Sequence, residues 1–117
     1  MRSEFKNRKT FEDRARDSAA IRDQHTNKVP VIVERWGGHR QKKKRQITKF
    51  LVPDHVTVTE LVRVLRRRLN LAPGQAFFLL SDRGLPPGTQ TLAELWESEH
   101  DEDGFLYVFY AAQEYFG

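Results

Sequence analysis

An α+β fold of the β-grasp kind is predicted for this 117-residue chain by three features of its sequence. A continuous β-branched run, a glycine-containing turn and a second extended segment make an N-terminal hairpin. A strongly amphipathic helix follows, opened by a capping box. A segment rich in aromatics near the C-terminus supplies a last strand. A hairpin, a helix crossing its sheet and a closing strand bury one modest core. At 13.7 kDa the chain has room for one such domain, residues 1–117.

The elements follow in order. The first ten residues are basic and mostly polar, with Phe5 the only large apolar side chain. Thr10 caps a helix whose positive first turn receives Glu12 and Asp13. This helix runs to about Asp23 and sets Phe11, Ala15, Ser18 and Ile21 along one side; so weakly apolar a face suits the surface of a core made elsewhere. Val29-Pro30-Val31-Ile32-Val33 reads as a buried strand with Pro30, which has no N–H, at its beginning. Trp36-Gly37-Gly38-His39 is the turn, and residues 46–52 form the second strand, ended by Pro53. Thr57 and Glu60 make the capping box of the amphipathic helix, with Val58, Leu61, Val62, Leu65 and Leu69 on one side and Arg63, Arg66 and Arg67 mostly on the other. Residues 76–80 are a third strand. Thr91 and Glu94 cap a short helix through Trp96, and residues 105–110 are the last strand.

Composition narrows the function. With no cysteine, disulfides, thiolate metal sites and cysteine nucleophiles are excluded within the chain, which fits a reducing compartment. No apolar run approaches the roughly 18 residues that span a bilayer, and the polar N-terminus does not read as a signal peptide, so a cytoplasmic protein is expected. Residues 1–50 hold fifteen Lys and Arg against six Asp and Glu, while residues 51–117 hold five against ten. The basic half draws anionic partners: acidic peptides, phospholipid head groups, RNA or acidic tubulin tails.

Longer motifs carry a resemblance. Arg8-Lys9-Thr10-Phe11-Glu12, Ile21-Arg22-Asp23-Gln24-His25 and Lys28-Val29-Pro30-Val31-Ile32-Val33-Glu34-Arg35 begin it. Lys49-Phe50-Leu51-Val52-Pro53-Asp54-His55, Arg66-Arg67-Arg68-Leu69 and Gln75-Ala76-Phe77-Phe78-Leu79-Leu80 continue it. Residues 97–107 and Gln113-Glu114-Tyr115-Phe116-Gly117 complete it. In these the chain resembles the autophagy ubiquitin-like modifiers, microtubule-associated protein light chain 3 branch; Leu85-Pro86-Pro87 looks more like the sister GABA-receptor-associated branch. The resemblance implies a ubiquitin-like β-grasp (residues 26–112) with two additional N-terminal helices (1–25) and a flexible conjugation tail (113–117).

It further implies a modifier cycle. A processing cysteine protease exposes the terminal glycine, with Phe116 as its recognition handle. An activating enzyme adenylates Gly117 and takes it as a thioester, and a conjugating enzyme passes it to phosphatidylethanolamine. The catalytic residues then belong to these partners; the chain has none and needs no cofactor or metal. Gly117 suits the role, because without a Cβ its carboxyl enters narrow channels. Ending at this glycine, the sequence looks like the processed form or an imitation of it. The expected body is a monomer, cytoplasmic, and on autophagosomal membranes when lipidated.

The resemblance also implies peptide capture. An edge strand takes an extended peptide as an added strand, main-chain hydrogen bonds giving affinity and side-chain pockets specificity. Cargo receptors and adaptors would present an aromatic residue and, three positions on, an aliphatic one, aimed at separate hollows by the strand's twist. Asp17, Ile21, Pro30, Ile32, Lys49, Leu51 and Phe105 would line the aromatic hollow, and Phe50, Val52, Pro53, Leu61, Val64 and Leu65 the aliphatic one. Arg8, Lys9, Lys28 and Arg68 would meet acidic or phosphorylated residues flanking the motif. Taken singly, Val52, Leu61 and Leu65 read equally as core, and Lys49 as a guard against edge-to-edge aggregation. One stretch departs from the family: Lys42-Lys43-Lys44-Arg45-Gln46-Ile47 replaces a leucine-proline turn leading to Asp-Lys. Tighter binding of acidic motifs or anionic membrane is one consequence and a merely solvated turn the other.

Two other readings compete. His25, His39, His55 and His100 lack paired metal-ligand spacing, Asp101-Glu102-Asp103-Gly104 lacks the calcium-loop spacing, and no phosphate loop or nucleophile with a base is present, which argues against an enzyme. A microtubule- or RNA-associated basic adaptor without lipid conjugation is the alternative; no nucleic-acid motif with interleaved aromatics supports it.

Overall fold

The computed structural model describes residues 3–36 and 47–114. Gly117, Phe116, the turn residues Gly37, Gly38 and His39, the cations at 42–45 and Gln46 lie outside the described residues. The order is α1 (Glu4–Arg8), α2 (Phe11–Gln24), β1 (Lys28–Arg35), β2 (Ile47–Pro53), α3 (Val58–Arg68), β3 (Gln75–Leu80), α4 (Leu92–Glu99) and β4 (Leu106–Glu114). This is the α+β, ubiquitin-like fold, with two helices ahead of the sheet.

The sheet runs β2-β1-β4-β3, antiparallel except for the central β1/β4 pair. Side chains alternate across it and feed two apolar clusters. Val29, Val31 and Val33 of β1 join Leu61 and Leu65 of α3 and Leu92 and Leu95 of α4 on one face. Ile32 joins Phe5, Phe105, Tyr107 and Phe109 on the other. The β-branched run is therefore buried on both sides, which explains why it lacks an apolar–polar alternation.

Both capping boxes form: Thr57 and Thr91 each accept from the backbone N–H three residues on, and Glu60 and Glu94 reach back. Two expectations fail. Pro30 is third in β1, not first; it precedes Val31, the first residue paired to β4, so the strand there has one neighbour, a situation that tolerates proline. On α2, Phe11 stays 43% exposed while Arg14 and Ser18 are buried. That helix docks through polar bonds to Asp103 as well as through Ile21, which packs on the apolar cluster around Ile32.

Asp103 binds α2. Its carboxylate accepts from Arg14 Nη1 at 2.8 Å, from Tyr107 Oη at 2.5 Å and from the Phe105 N–H at 2.8 Å, while Ser18 Oγ donates to its carbonyl. α1 is held by Glu34, a fully buried carboxylate that accepts from Ser3 Oγ and from the N–H groups of Glu4 and Phe5. These are free donors of a helix's first turn, so an otherwise costly buried charge is satisfied.

Candidate functional site

β2 is the sheet margin. Its ladder runs from Glu34↔Ile47 to Lys28↔Pro53 and joins β1 alone, so its outer edge has no strand partner among the described residues. Alternate backbone N–H and C=O groups along such an edge are free to bond an added strand.

The pleat sorts the side chains beside this edge. Phe50 and Val52 belong to the cluster under α3, with Leu61 and Leu65. Lys49 and Leu51 stand opposite Ile32 and Pro30 on the face toward α2, where Ile21 packs against the cluster that holds Ile32 and Phe105. Residues three apart on a strand fall on opposite faces through the pleat alone, so twist is not what separates the two sets. Pro53, next after Val52, takes the opposite parity, and the pleat does not set it on the α3 side.

Burial divides these residues by role. Ile32 and Phe105 are fully buried, Pro30 and Val52 are buried, and Leu61 and Leu65 are at most 2% exposed, so they form floor and core. Of this set, Leu51 of β2 and Val64 of α3, at 37% and 38%, are the large apolar side chains offered to solvent, Leu51 on the face toward α2 and Val64 on the helix that covers the other face. Lys49 is exposed and Phe50 and Ile21 are half-buried.

The cations differ in freedom. Lys9 Nζ meets Asp17 Oδ2 at 3.0 Å, so two residues expected at the site neutralise each other. Arg8 faces Glu4 at 3.9 Å, and Arg68 lies over the Phe50 ring, 5.1 Å from its centroid. Lys28 is half-buried and lines a hollow of about 150 Å³ with Arg22, Trp96 and Glu97.

Behind the aromatic-side floor stands the polar network at Asp103, which sequence reasoning missed. Burial and the Asp103 carboxylate push the Tyr107 phenol up, with Arg14 opposing. Burial alone would lower Arg14, but its bond to Tyr107 and the charge of Asp103 raise it. Asp101 is held below the ordinary carboxylate value: burial would raise it, but the hydrogen bond from Lys6 prevails. The buried Glu34 that holds α1 was missed as well, and there a signal existed: a lone acid directly after the β-branched run, with the parity of the buried Ile32. Among the described residues no group of three His, Asp or Glu is arranged as a metal site, and no helix is long and apolar enough to cross a membrane.

Comparison with known proteins gives one consistent result. Residues 13–117 match the family profile described as autophagy protein Atg8, ubiquitin like. The chain is 46% identical to Protein lgg-2 of Caenorhabditis elegans, covering 97% of this chain and 88% of that protein. It is 40% identical to human microtubule-associated protein 1 light chain 3 gamma, covering 97% and 78%. A crystal structure of Trypanosoma brucei ATG8 superposes with a TM-score of 0.84 at 33% identity, over the full length of both chains.

Proposed function

This chain belongs to the Atg8 family of ubiquitin-like autophagy proteins, on its light chain 3 side, and on that premise we propose that it is a non-enzymatic modifier conjugated through Gly117 to phosphatidylethanolamine. In that state it serves as a membrane-bound receptor for short linear motifs. The conjugation machinery supplies the chemistry: activation of the Gly117 carboxyl as an acyl adenylate, transfer to a thiol, then attack by the lipid amine with release of that thiol. This chain contributes the acyl group of Gly117, a residue with no Cβ to crowd it.

The observation that carries the receptor reading is the open margin β2, with solvent-facing Leu51 on its α2 face and solvent-facing Val64 on α3, the helix over its other face. A peptide added as a fifth strand would place its aromatic and, three residues later, its aliphatic side chain on opposite faces. The first would settle over Ile21, Ile32 and Phe105 beside Leu51, the second over Val52, Leu61 and Leu65 beside Val64. Arg68 and Lys49 stand near enough to the margin to favour acidic flanking residues. Cargo receptors and adaptors carrying such motifs are the partners this geometry fits, with cytoplasm and autophagosomal membrane as its places of work.

Reconstituted conjugation read by mass spectrometry tests the first half. The expected product carries one phosphatidylethanolamine on the terminal residue, and Gly117→Ala abolishes it. A chain that never gains the lipid while still binding microtubules or RNA would overturn the reading in favour of a basic adaptor.

A further inference from the structure

The strand directions bring the tail to a particular end of the molecule. β1 and β4 run parallel, and β1 exits at Arg35 beside Tyr110; β4 continues to Glu114 opposite Gln75, where β3 begins. α3 ends at this same place, its Arg66 donating to the carbonyls of Gln75 at 3.0 Å and Ala72 at 3.4 Å.

The side chains of residues 34–36, 47–48, 66–76 and 110–112 include four arginines and one carboxylate, and Glu4, bonded through its N–H to that carboxylate, adds a second acid, which faces Arg8 at 3.9 Å. The first carboxylate is Glu34, buried and occupied by the start of α1. Arg35, Arg67 and Arg68 are exposed, and neither Arg35 nor Arg67 enters an ion pair among the described residues. Trp36 follows Arg35 at the end of β1, 49% exposed, its backbone N–H bonded to the Tyr110 carbonyl at 2.7 Å. An exposed indole at a strand end, with two exposed arginines that enter no ion pair among the described residues at the same end of the molecule, has the chemistry of a bilayer interface. Tryptophan favours the head-group level and arginines favour anionic lipid.

We propose that this end of the sheet is a second, non-covalent membrane contact, in which Trp36 enters the head-group layer of an anionic bilayer and Arg35 and Arg67 meet its phosphates. The proposal rests on the reading of Gly117 as the lipid-bearing residue, because a tail anchored in the membrane holds this end against it. It fixes the orientation of the protein: β2 stands with its length across the membrane plane, its outer edge open to peptides from the side.

The second tryptophan is a built-in control. Trp96 Nε1 donates to the Gly104 carbonyl at 2.9 Å, ahead of the start of β4, so it marks the opposite end of the sheet. Because the chain has no cysteine, a Gly117→Cys variant couples at one site to a maleimide-bearing lipid without any conjugating enzyme. Tethered so to phosphatidylcholine–phosphatidylserine vesicles with brominated acyl chains, Trp96→Phe retains Trp36 and Trp36→Phe retains Trp96. Expected are loss and blue shift of Trp36 emission, none for Trp96, and relief of the Trp36 effect by Arg35→Glu with Arg67→Glu. Quenching of neither indole, equal quenching of both, or indifference to the charge reversals overturns the proposal. As the tether is chemical, none of these results touches the Gly117 reading, which stands or falls by the enzymatic mass gain.

Discussion

Arg14 and Asp103, 89 positions apart in the chain, form a 2.8 Å ion pair in which the carboxylate is fully buried and the guanidinium nearly so. A buried pair adds modest net stability when made but exacts a large loss when one partner is removed, because the other charge is stranded. Arg14→Ala or Asp103→Ala should therefore cost about 3–5 kcal/mol. The double variant should cost much less than the sum of the two. Urea unfolding with an unchanged m-value is the measurement. Losses below about 1 kcal/mol for both single variants would show the pair to be solvated.

That pair also marks the boundary of what sequence alone discloses. The caps at Thr57 and Thr91, the β-branched β1 and the amphipathic α3 are local patterns, and all were legible. The docking side of α2 was not. Its periodicity points to Phe11, Ala15, Ser18 and Ile21, yet Phe11 is exposed and Arg14 goes in, a choice made by an acid 89 residues downstream. The margin residues were legible only as a mixed set. Nothing local distinguishes Leu51, which faces solvent, from Leu61 and Leu65, which form the floor, until the sheet order is known.

Two titrations of opposite sign should bound the stability of the helix α1–α2 face. The Asp101 carboxyl lies below its ordinary value of 3.8 in the folded protein, so the unfolded chain binds more protons as the pH falls. Its stabilisation is present above about pH 4 and is lost as the pH drops through the folded value. The pair with Lys6 is part-exposed, limiting the effect to about 0.2–1 kcal/mol, and Asp101→Asn should remove it. Tyr107 is raised above its ordinary value of 10, so its contribution is complete below that pH and declines above it. Tyr107→Phe should flatten the alkaline limb of a stability–pH curve and leave the acid limb unchanged; an equal alkaline fall in both proteins would contradict this.

Glu34 holds α1 by charge, not by apolar area. Glu34→Gln keeps the size but loses the charge and turns one of the two accepting oxygens into an amide donor, so that either the Glu4 N–H or the Phe5 N–H and the Ser3 hydroxyl lose their acceptor. The expected cost is about 1–3 kcal/mol, concentrated at the N-terminus. Trypsin should then cut after Lys6 and Arg8 several times faster, while amide exchange in β4 stays slow. Unchanged cleavage would mean that Phe5, packed on Phe105 and Tyr107, suffices to keep α1 in place.

Two glycines with positive φ separate backbone strain from crowding. Gly84, at φ 108°, has open space where a Cβ would stand, whereas at Gly104, φ 91°, that Cβ would lie 2.5 Å from Ser18 Oγ. Gly84→Ala should lose about 1 kcal/mol, the conformational cost alone. Gly104→Ala should lose more, because α2 must shift against a hydroxyl already bonded to the Asp103 carbonyl. Measured as thermal midpoints, Ser18→Ala should recover part of the loss in the Gly104→Ala background and none in the Gly84→Ala background. Equal losses at the two glycines would show that α2 yields freely.

Leu51 and Val64 offer the sharpest test of the receptor surface, because their exposure uncouples binding from folding. Surface substitutions away from packed features change stability by about 0.5 kcal/mol or less, so Leu51→Asp and Val64→Asp should leave the thermal midpoint nearly unmoved. Each places a carboxylate at the lip of one apolar hollow. An aromatic-x-x-aliphatic peptide should therefore bind at least about tenfold more weakly, a difference of about 1.4 kcal/mol. Leu61→Ala makes the contrasting case: at 2% exposed it should cost about 2–5 kcal/mol of stability whatever happens to binding. A peptide that varies in its aromatic position should be sensitive to Leu51 and one that varies in its aliphatic position to Val64, since Leu51 lies on the α2 face of the sheet margin and Val64 on the helix over its other face. Titration calorimetry with paired peptides decides the matter: undiminished affinity in both aspartate variants would place the ligand elsewhere on the molecule and leave β2 an edge guarded only by Lys49.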